Sequence, residues 1–184
     1  PLKEDLKQKL LKLKAQVQYR NGDSAGARKT FEVLFAINEK DKMIIEDVME
    51  IQLSEGVYED AKKYCQKLID LATDNYEKVN YQLKMATILK RLNDAVNSEK
   101  IYLELINLSG QDSWLLKEVV YQFESIYRGK DNIAELIKKY EEIIKANPQN
   151  IYLRKRYSSL LSEKGEKETS INEFKAIVEL LPGD

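Results

Sequence analysis

Histidine is absent from the 184-residue chain, and cysteine and tryptophan each occur once. The lack of histidine removes Ser–His and Cys–His nucleophile pairs, imidazole metal ligands and the usual general base near neutral pH. One cysteine, Cys65, excludes a disulfide framework and a thiolate metal cluster. The seven glycines are scattered and match no phosphate-cradling loop. Carboxylate pairs do occur, at Glu46/Glu50, Glu59/Asp60 and Glu141/Glu142. Such spacings suit solvated helix faces and first-turn charges that complement the helix dipole better than paired acid–base chemistry. The expectation is a chain with no enzymatic activity, no cofactor and no bound metal.

Long apolar runs are also missing. Nothing approaches the roughly 18 apolar residues that a membrane-crossing helix needs. No signal peptide is visible, which points to the cytoplasm. A periplasmic or envelope-associated setting stays open because the chain begins with Pro1, as after initiator removal or cleavage. The net charge of −1 gives no overall basic field for nucleic acid or anionic lipid. That charge is unevenly spread, with nine Lys/Arg against six Asp/Glu in residues 1–41 and five against nine in 42–78. Helical arrays that read RNA need a continuous basic stripe. Glu46, Asp47 and Glu50 interrupt one here, and Arg154-Lys155-Arg156 and Lys138-Lys139 are short patches, so nucleic acid is not an expected partner.

Proline is scarce too, and its placement is informative. Pro148 in "KANPQN" and Pro182 in "ELLPGD" lie 34 residues apart, and only Pro1 stands outside that pair. A fixed period of this size marks stacked structural repeats. The same 34-residue interval separates Gly22 from Gly56, Ala27 from Ala61, Phe31 from Cys65, Leu34 from Leu68, Tyr140 from Phe174 and Ile143 from Ile177. With 33% charged and 43% hydrophobic residues and little glycine, the chain favours long amphipathic helices.

Five units follow, at about 8–41, 42–75, 79–112, 117–150 and 151–184, and they read as one array over 1–184. In the first, "KLLKLKAQVQYR" is a helix, Asn21-Gly22-Asp23 a turn, and "AGARKTFEVLFAI" a second helix with Ala27, Phe31, Leu34 and Phe35 on one face. Gly22 suits the left-handed backbone that ends a helix, and Asp23 or Ser24 can cap the next. The third unit replaces the glycine turn by Asn93-Asp94 and the alanine by Ser98. The fourth puts Leu136 in the alanine slot and turns at Arg128-Gly129-Lys130-Asp131. The fifth carries Ser158, Gly165, Ser170, Phe174, Ile177 and Pro182. Cys65 occupies the slot of Phe31, Tyr102, Tyr140 and Phe174, and all of these are expected to be buried between paired helices. A proline just past a second helix stops it, because proline cannot continue the hydrogen-bond ladder.

This pattern resembles the tetratricopeptide repeat family over nearly the whole chain. The marks are Ala15, Gly22-Asp23, Ala27 and Phe31 in the first unit and Ser158, Gly165-Glu166, Ser170, Phe174 and Pro182 in the fifth. The second unit keeps Gly56 but follows it with Val57, and the third and fourth depart at the turn. The resemblance implies an all-α, right-handed superhelical solenoid of about five antiparallel helix pairs, with the first helix of each pair lining a concave groove. The family's groove slots fall on Lys12, Gln16 and Tyr19, on Glu46, Asp47 and Glu50, and on Asn80, Lys84 and Thr87. In the last two units they fall on Tyr121, Gln122 and Ser125, and on Lys155, Arg156 and Ser159.

The function implied is a non-catalytic protein-interaction scaffold that takes a peptide or a partner helix in that groove. The alternative is a regulatory or assembly domain of a larger enzyme or a secretion or envelope machine. Family members that serve heat-shock chaperones grip a C-terminal carboxylate with basic residues and asparagines. Lys12, Lys84 and Gln16 resemble that clamp, but Asp47, beside Glu46 and Glu50, would repel the carboxylate. The expected ligand is therefore a mixed-charge segment, its basic part near Glu46, Asp47 and Glu50 and its acidic part near Lys155 and Arg156. Leu2, Leu6, Leu10, Leu13 and Val17 form a second apolar stripe beside the Leu11/Ala15/Tyr19 face of the first helix, and a helix apolar on two sides normally has neighbours on both. The chain is expected to be a fragment of a longer protein, or an array whose ends are covered by self-association.

Overall fold

A computed structural model describes residues 2–110, 113–128 and 132–181, apart from the side chains of Leu2 and Glu4. The described residues form ten α-helices and no strand. Two compact units divide them, residues 1–94 and 95–184. Unit 1 holds α1 (Leu2–Arg20), α2 (Ser24–Ile37), α3 (Lys42–Ser54), α4 (Tyr58–Leu71) and α5 (Asn75–Arg91). Unit 2 holds α6 (Ala95–Leu108), α7 (Trp114–Arg128), α8 (Ile133–Ala146), α9 (Ile151–Lys164) and α10 (Lys167–Leu180). Within each unit every helix packs on the next in sequence.

One backbone device turns the chain between the two helices of each pair. The N–H of the residue opening the next segment bonds a carbonyl five residues back, at Asp23→Gln18 (2.9 Å), Val57→Gln52 (2.8 Å), Asp94→Leu89 (2.9 Å), Asn132→Tyr127 (3.1 Å) and Glu166→Leu161 (2.9 Å). This closure requires a left-handed residue just before the donor. Gly22 (φ 83°), Gly56 (φ 74°) and Gly165 (φ 92°) supply it without steric cost, and Asn93 (φ 60°) supplies it as the non-glycine residue that tolerates this region best. The Asn93-Asp94 turn thus stands in for glycine as its sequence suggests. Residues 129–131 of the fourth turn lie outside the described residues.

Side-chain caps then start the helices. Asp23 accepts from Gly26 N at 2.9 Å, Asp41 from Met43 N at 3.0 Å, Asp74 from Glu77 N at 2.8 Å and Asn150 from Leu153 N at 3.1 Å. Proline is less general as a stop than its spacing suggests. Pro148 follows the end of α8, but α2, α4 and α6 end without one, and Pro182 lies outside the described residues.

Small residues bring helices of a pair together. Ala15 and Ala27 are fully buried between α1 and α2 in a core with Phe31, Leu34, Ile44, Val48 and Ile51. Serines fill the same slots in α9 and α10 and satisfy one another across the contact. Ser158 Oγ donates to the Ser170 carbonyl at 3.0 Å, and Ser170 Oγ to the Ser158 carbonyl at 2.9 Å. A buried hydroxyl needs such a partner, and here close backbone approach provides it. Leu136 fills the slot in the fourth pair, and α7 and α8 meet less closely than α9 and α10.

The large slot facing these small residues holds Phe31, Cys65, Tyr102 and Tyr140, all buried. Phe174 departs from this expectation, with 48% of its surface exposed. In unit 2, Tyr140 is covered by the next helix, its ring stacked on Tyr157 at 6.3 Å. Among the described residues no helix follows α10, so the face bearing Phe174 meets no such cover.

Candidate functional site

The candidate site residues of unit 1 sit on α1, α3 and α5 and are joined by bonds between successive odd-numbered helices. Lys12 Nζ lies 3.6 Å from the Asp47 carboxylate, and Gln16 Nε2 donates to the same oxygen at 3.4 Å. Lys84 Nζ donates to Glu50 at 2.5 Å, and the Tyr81 hydroxyl donates to Glu46 at 2.5 Å. Lys42 and Glu77 form a fifth link at 2.5 Å. Several of these partners are 34 or 35 residues apart, one repeat, because equivalent positions on stacked parallel helices face each other. The three carboxylates that look like a free acidic patch in the sequence are therefore each partnered by the neighbouring helix. Burial, and then the Glu46 carboxylate, pushes the Tyr81 phenol well above its ordinary range, so it remains a donor.

The other positions in unit 1 are quieter. Tyr19 packs half-buried against the core. Asn80 is half-buried, and Thr87 is exposed with its hydroxyl on the Leu83 carbonyl at 3.1 Å.

Unit 2 is built around a carboxylate that the sequence pattern does not single out. Glu124 on α7 is 2% exposed. It accepts from the Tyr140 hydroxyl at 2.7 Å, from Arg156 Nε at 3.0 Å and Nη2 at 2.5 Å, and lies 3.5 Å from Arg128 Nε. The two-pronged guanidinium contact offsets much of the cost of burying the charge. Its hydrogen bonds to Glu124 hold Arg156 protonated beyond the ordinary arginine range, and burial, then the Glu124 charge, pushes the Tyr140 phenol up. A carboxylate on the apolar face of a helix, one residue from Phe123 and near Ile126 and Tyr127, was the available signal. Arg128 also pairs with Glu163 at 3.1 Å, which holds that carboxyl below its usual range.

Arg156 is thereby committed within the fold, whereas Lys155 and Tyr121 are exposed. Ser125 and Ser159 bond helix carbonyls at 2.5 and 2.9 Å, and Gln122 donates to Glu118 at 2.9 Å. Cys65 is buried, donates to the Tyr81 carbonyl at 3.3 Å, and has its thiol pushed up to about 12 by burial. It is a packing group rather than a nucleophile at neutral pH. Among the described residues no three acidic or thiol groups gather as a metal site, and no helix is long and apolar enough to cross a membrane.

Successive helices turned by one repeated closure, and packed within each unit on the next in sequence, define a helical-repeat protein. The fold is that of the tetratricopeptide repeat, as solved structures confirm. MamA from Desulfovibrio magneticus RS-1, residues 41 to the end, aligns over 95% of this chain and 94% of its own, with a TM-score of 0.57 and 15% identity. YrrB, described as a TPR protein with an unusual peptide-binding site, aligns over 94% of this chain and 85% of its own, with a TM-score of 0.52 and 12% identity. A Podosopora anserina putative kinesin light chain with nearly identical TPR-like repeats aligns over 95% and 94%, with a TM-score of 0.54 and 8% identity. No protein-family model and no curated protein matches the chain.

Proposed function

We propose that the chain is a non-catalytic protein-interaction scaffold, with the α1–α3–α5 surface of unit 1 binding a polypeptide segment of mixed charge. The observation that carries this reading is the row of exposed or half-exposed ion pairs on α1, α3 and α5. Such pairs contribute little to stability, about 0–1 kcal/mol each, and exchange readily for a ligand's charges. A basic ligand side chain can replace Lys84 on Glu50 or Lys12 on Asp47, while the displaced ammonium meets an acidic group one residue along the ligand. In unit 2, Lys155 presents an exposed cation on α9, with Arg156 held back by Glu124. The peptide-binding site named for YrrB supports the general class by analogy of fold.

Selection of peptides from an unbiased display library on the purified chain tests this. Mixed-charge segments are expected, and Asp47→Lys with Glu50→Lys should weaken their binding several-fold at low salt and less at high salt. Binding that is unchanged by this reversal, or selection of purely acidic C-terminal tails, would overturn the assignment.

Self-association is the second reading, and a comparison of equivalent positions favours it. Leu10 and Val17 on α1 are exposed, yet their counterparts one repeat on, Ile44 and Ile51, are buried beneath a preceding helix pair. Phe174 and Val178 on α10 are exposed, whereas Tyr140 and Ile144 are buried beneath a following one. Helix α1 carries six basic residues against two acidic, and residues 166–180 carry four acidic against two basic. The two faces complement each other in a head-to-tail contact between copies. Light scattering across a concentration series checks it, with growth in mass that Leu10→Glu with Val17→Glu should abolish.

A further inference from the structure

The five pair-closing turns place one residue of each first helix in the same environment, identified by the carbonyl that the closure bonds: Gln18, Gln52, Leu89, Tyr127 and Leu161. Two of the five are glutamines, and they fare differently. Gln18 is satisfied within its own pair. Its Oε1 accepts from Thr30 Oγ1 at 2.8 Å, and its Nε2 donates to Asp23 at 3.2 Å. In the second pair the residue at the Asp23 position is Val57, and the residue at the Thr30 position is Tyr64. Neither substitute engages the amide. Gln52 is 4% exposed, and its Oε1 has no hydrogen-bond partner among the described residues. Burying an amide in that condition is costly, and leucine, as at the third and fifth turns, would avoid the cost.

Gln52 lines a cleft of about 470 Å³ between α2 and α4. One wall is aromatic, with Phe35 and Tyr64 edge to face at 6.1 Å and the Lys67 ammonium 4.5 Å above the Phe35 ring. The rim carries Arg28, paired with Glu55 at 3.3 Å, and Lys63, paired with Asp60 at 2.8 Å. This chemistry selects by elimination. A carboxylate would set its lone pairs against the Gln52 oxygen. An ammonium or guanidinium would meet Arg28, Lys63 and Lys67, whose charge the lining carboxylates Glu32 and Asp60 offset only in part. A neutral planar group with a donor beside an acceptor meets both demands, because its N–H reaches Gln52 and its carbonyl accepts from the lysines. We propose that the α2–α4 cleft is a binding site for a primary carboxamide, the side chain of an asparagine or glutamine on a partner polypeptide, with Gln52 as the recognising residue. The site is independent of the α1–α3–α5 charge row.

The test uses three capped tripeptides, acetyl-Gly-Gln-Gly-N-methylamide and its Glu and Lys counterparts, so that only the glutamine peptide carries a primary carboxamide, added at millimolar concentration to ¹⁵N-labelled protein. The expected result is a saturable shift of the Gln52 side-chain amide resonances with the glutamine peptide alone. In Gln52→Leu the neighbouring Tyr64 and Lys67 backbone resonances should no longer respond, while the melting temperature rises by a few degrees because the orphaned amide is gone. Absence of a shift, equal shifts from all three peptides, or persistence of the response in Gln52→Leu would each overturn the proposal. So would a lower melting temperature for Gln52→Leu, since it would mean that the amide already has its partner inside the fold.

Discussion

Lys84 Nζ rests 2.5 Å from the carboxylate of Glu50, and the two residues are 34 positions apart in sequence. The chain's period is thus written into its surface chemistry as well as its core, since a side chain on α5 meets its equivalent turn on α3. Both side chains remain wet, at 45% and 52% exposure. Lys84→Ala should therefore cost no more than about 1 kcal/mol, and the Lys84–Glu50 coupling in a double-mutant cycle should fade with added salt. Urea denaturation in low and high salt measures both.

Arg156 and Glu124 call for the opposite expectation. Removing a partner of a buried charge typically costs about 3–5 kcal/mol, and the remaining Arg128 and Tyr140 contacts reduce that here, so Arg156→Met should destabilise unit 2 by about 2–3 kcal/mol. The loss should be nearly insensitive to salt, because the carboxylate is shielded from solvent. A loss below about 1 kcal/mol in chemical denaturation would show that Arg128 alone holds the charge.

Phe31 and Phe174 occupy equivalent positions, so they form an internal control for burial. Phe31→Ala in the closed core of unit 1 should cost about 3–5 kcal/mol. Phe174→Ala should cost about 1 kcal/mol or less under conditions where the chain is monomeric, since its ring is half in water already. If copies stack through α10, the Phe174 cost should grow with protein concentration.

Cys65 supplies a pH test with a defined sign. Its thiol is raised to about 12 in the fold, against roughly 8.5–9 when unfolded. The native state therefore holds the proton longer than the unfolded one. The contribution is fully present below about pH 9 and is lost as pH climbs toward about 12, at about 1.4 kcal/mol per pH unit. Denaturation of the wild type and Cys65→Ala across pH 8–11 should give curves whose difference narrows with rising pH, and the native thiol should resist alkylation at neutral pH.

The repeat period, the all-helical class, the Asn93-Asp94 turn and the burial of Phe31, Cys65, Tyr102 and Tyr140 were legible in the sequence. Each depends on residues close along the chain or on a spacing that helical geometry makes periodic. Phe174 misled because periodicity reports the slot and not its cover. Burial there depends on a helix that the slot itself does not encode. The candidate site was legible only as positions. Glu46, Asp47 and Glu50 read as an open acidic patch because Lys12, Gln16, Tyr81 and Lys84 are distant in sequence.

What the sequence by itself determined, then, is local and repetitive: where helices start, where they turn, and which stripe of each is apolar. Those properties follow from backbone sterics, capping and the helical period, and they act within one repeat. What only the tertiary structure decided is which polar groups find partners. Glu124 is neutralised by an arginine 32 residues away, and Gln18 is satisfied while Gln52 is not, although both sit at the same place in their repeats. A hydrogen bond or ion pair exists only when two groups meet within about 3.5 Å in the right orientation, and that distance is set by the packing of one helix on another rather than by the residues of either alone.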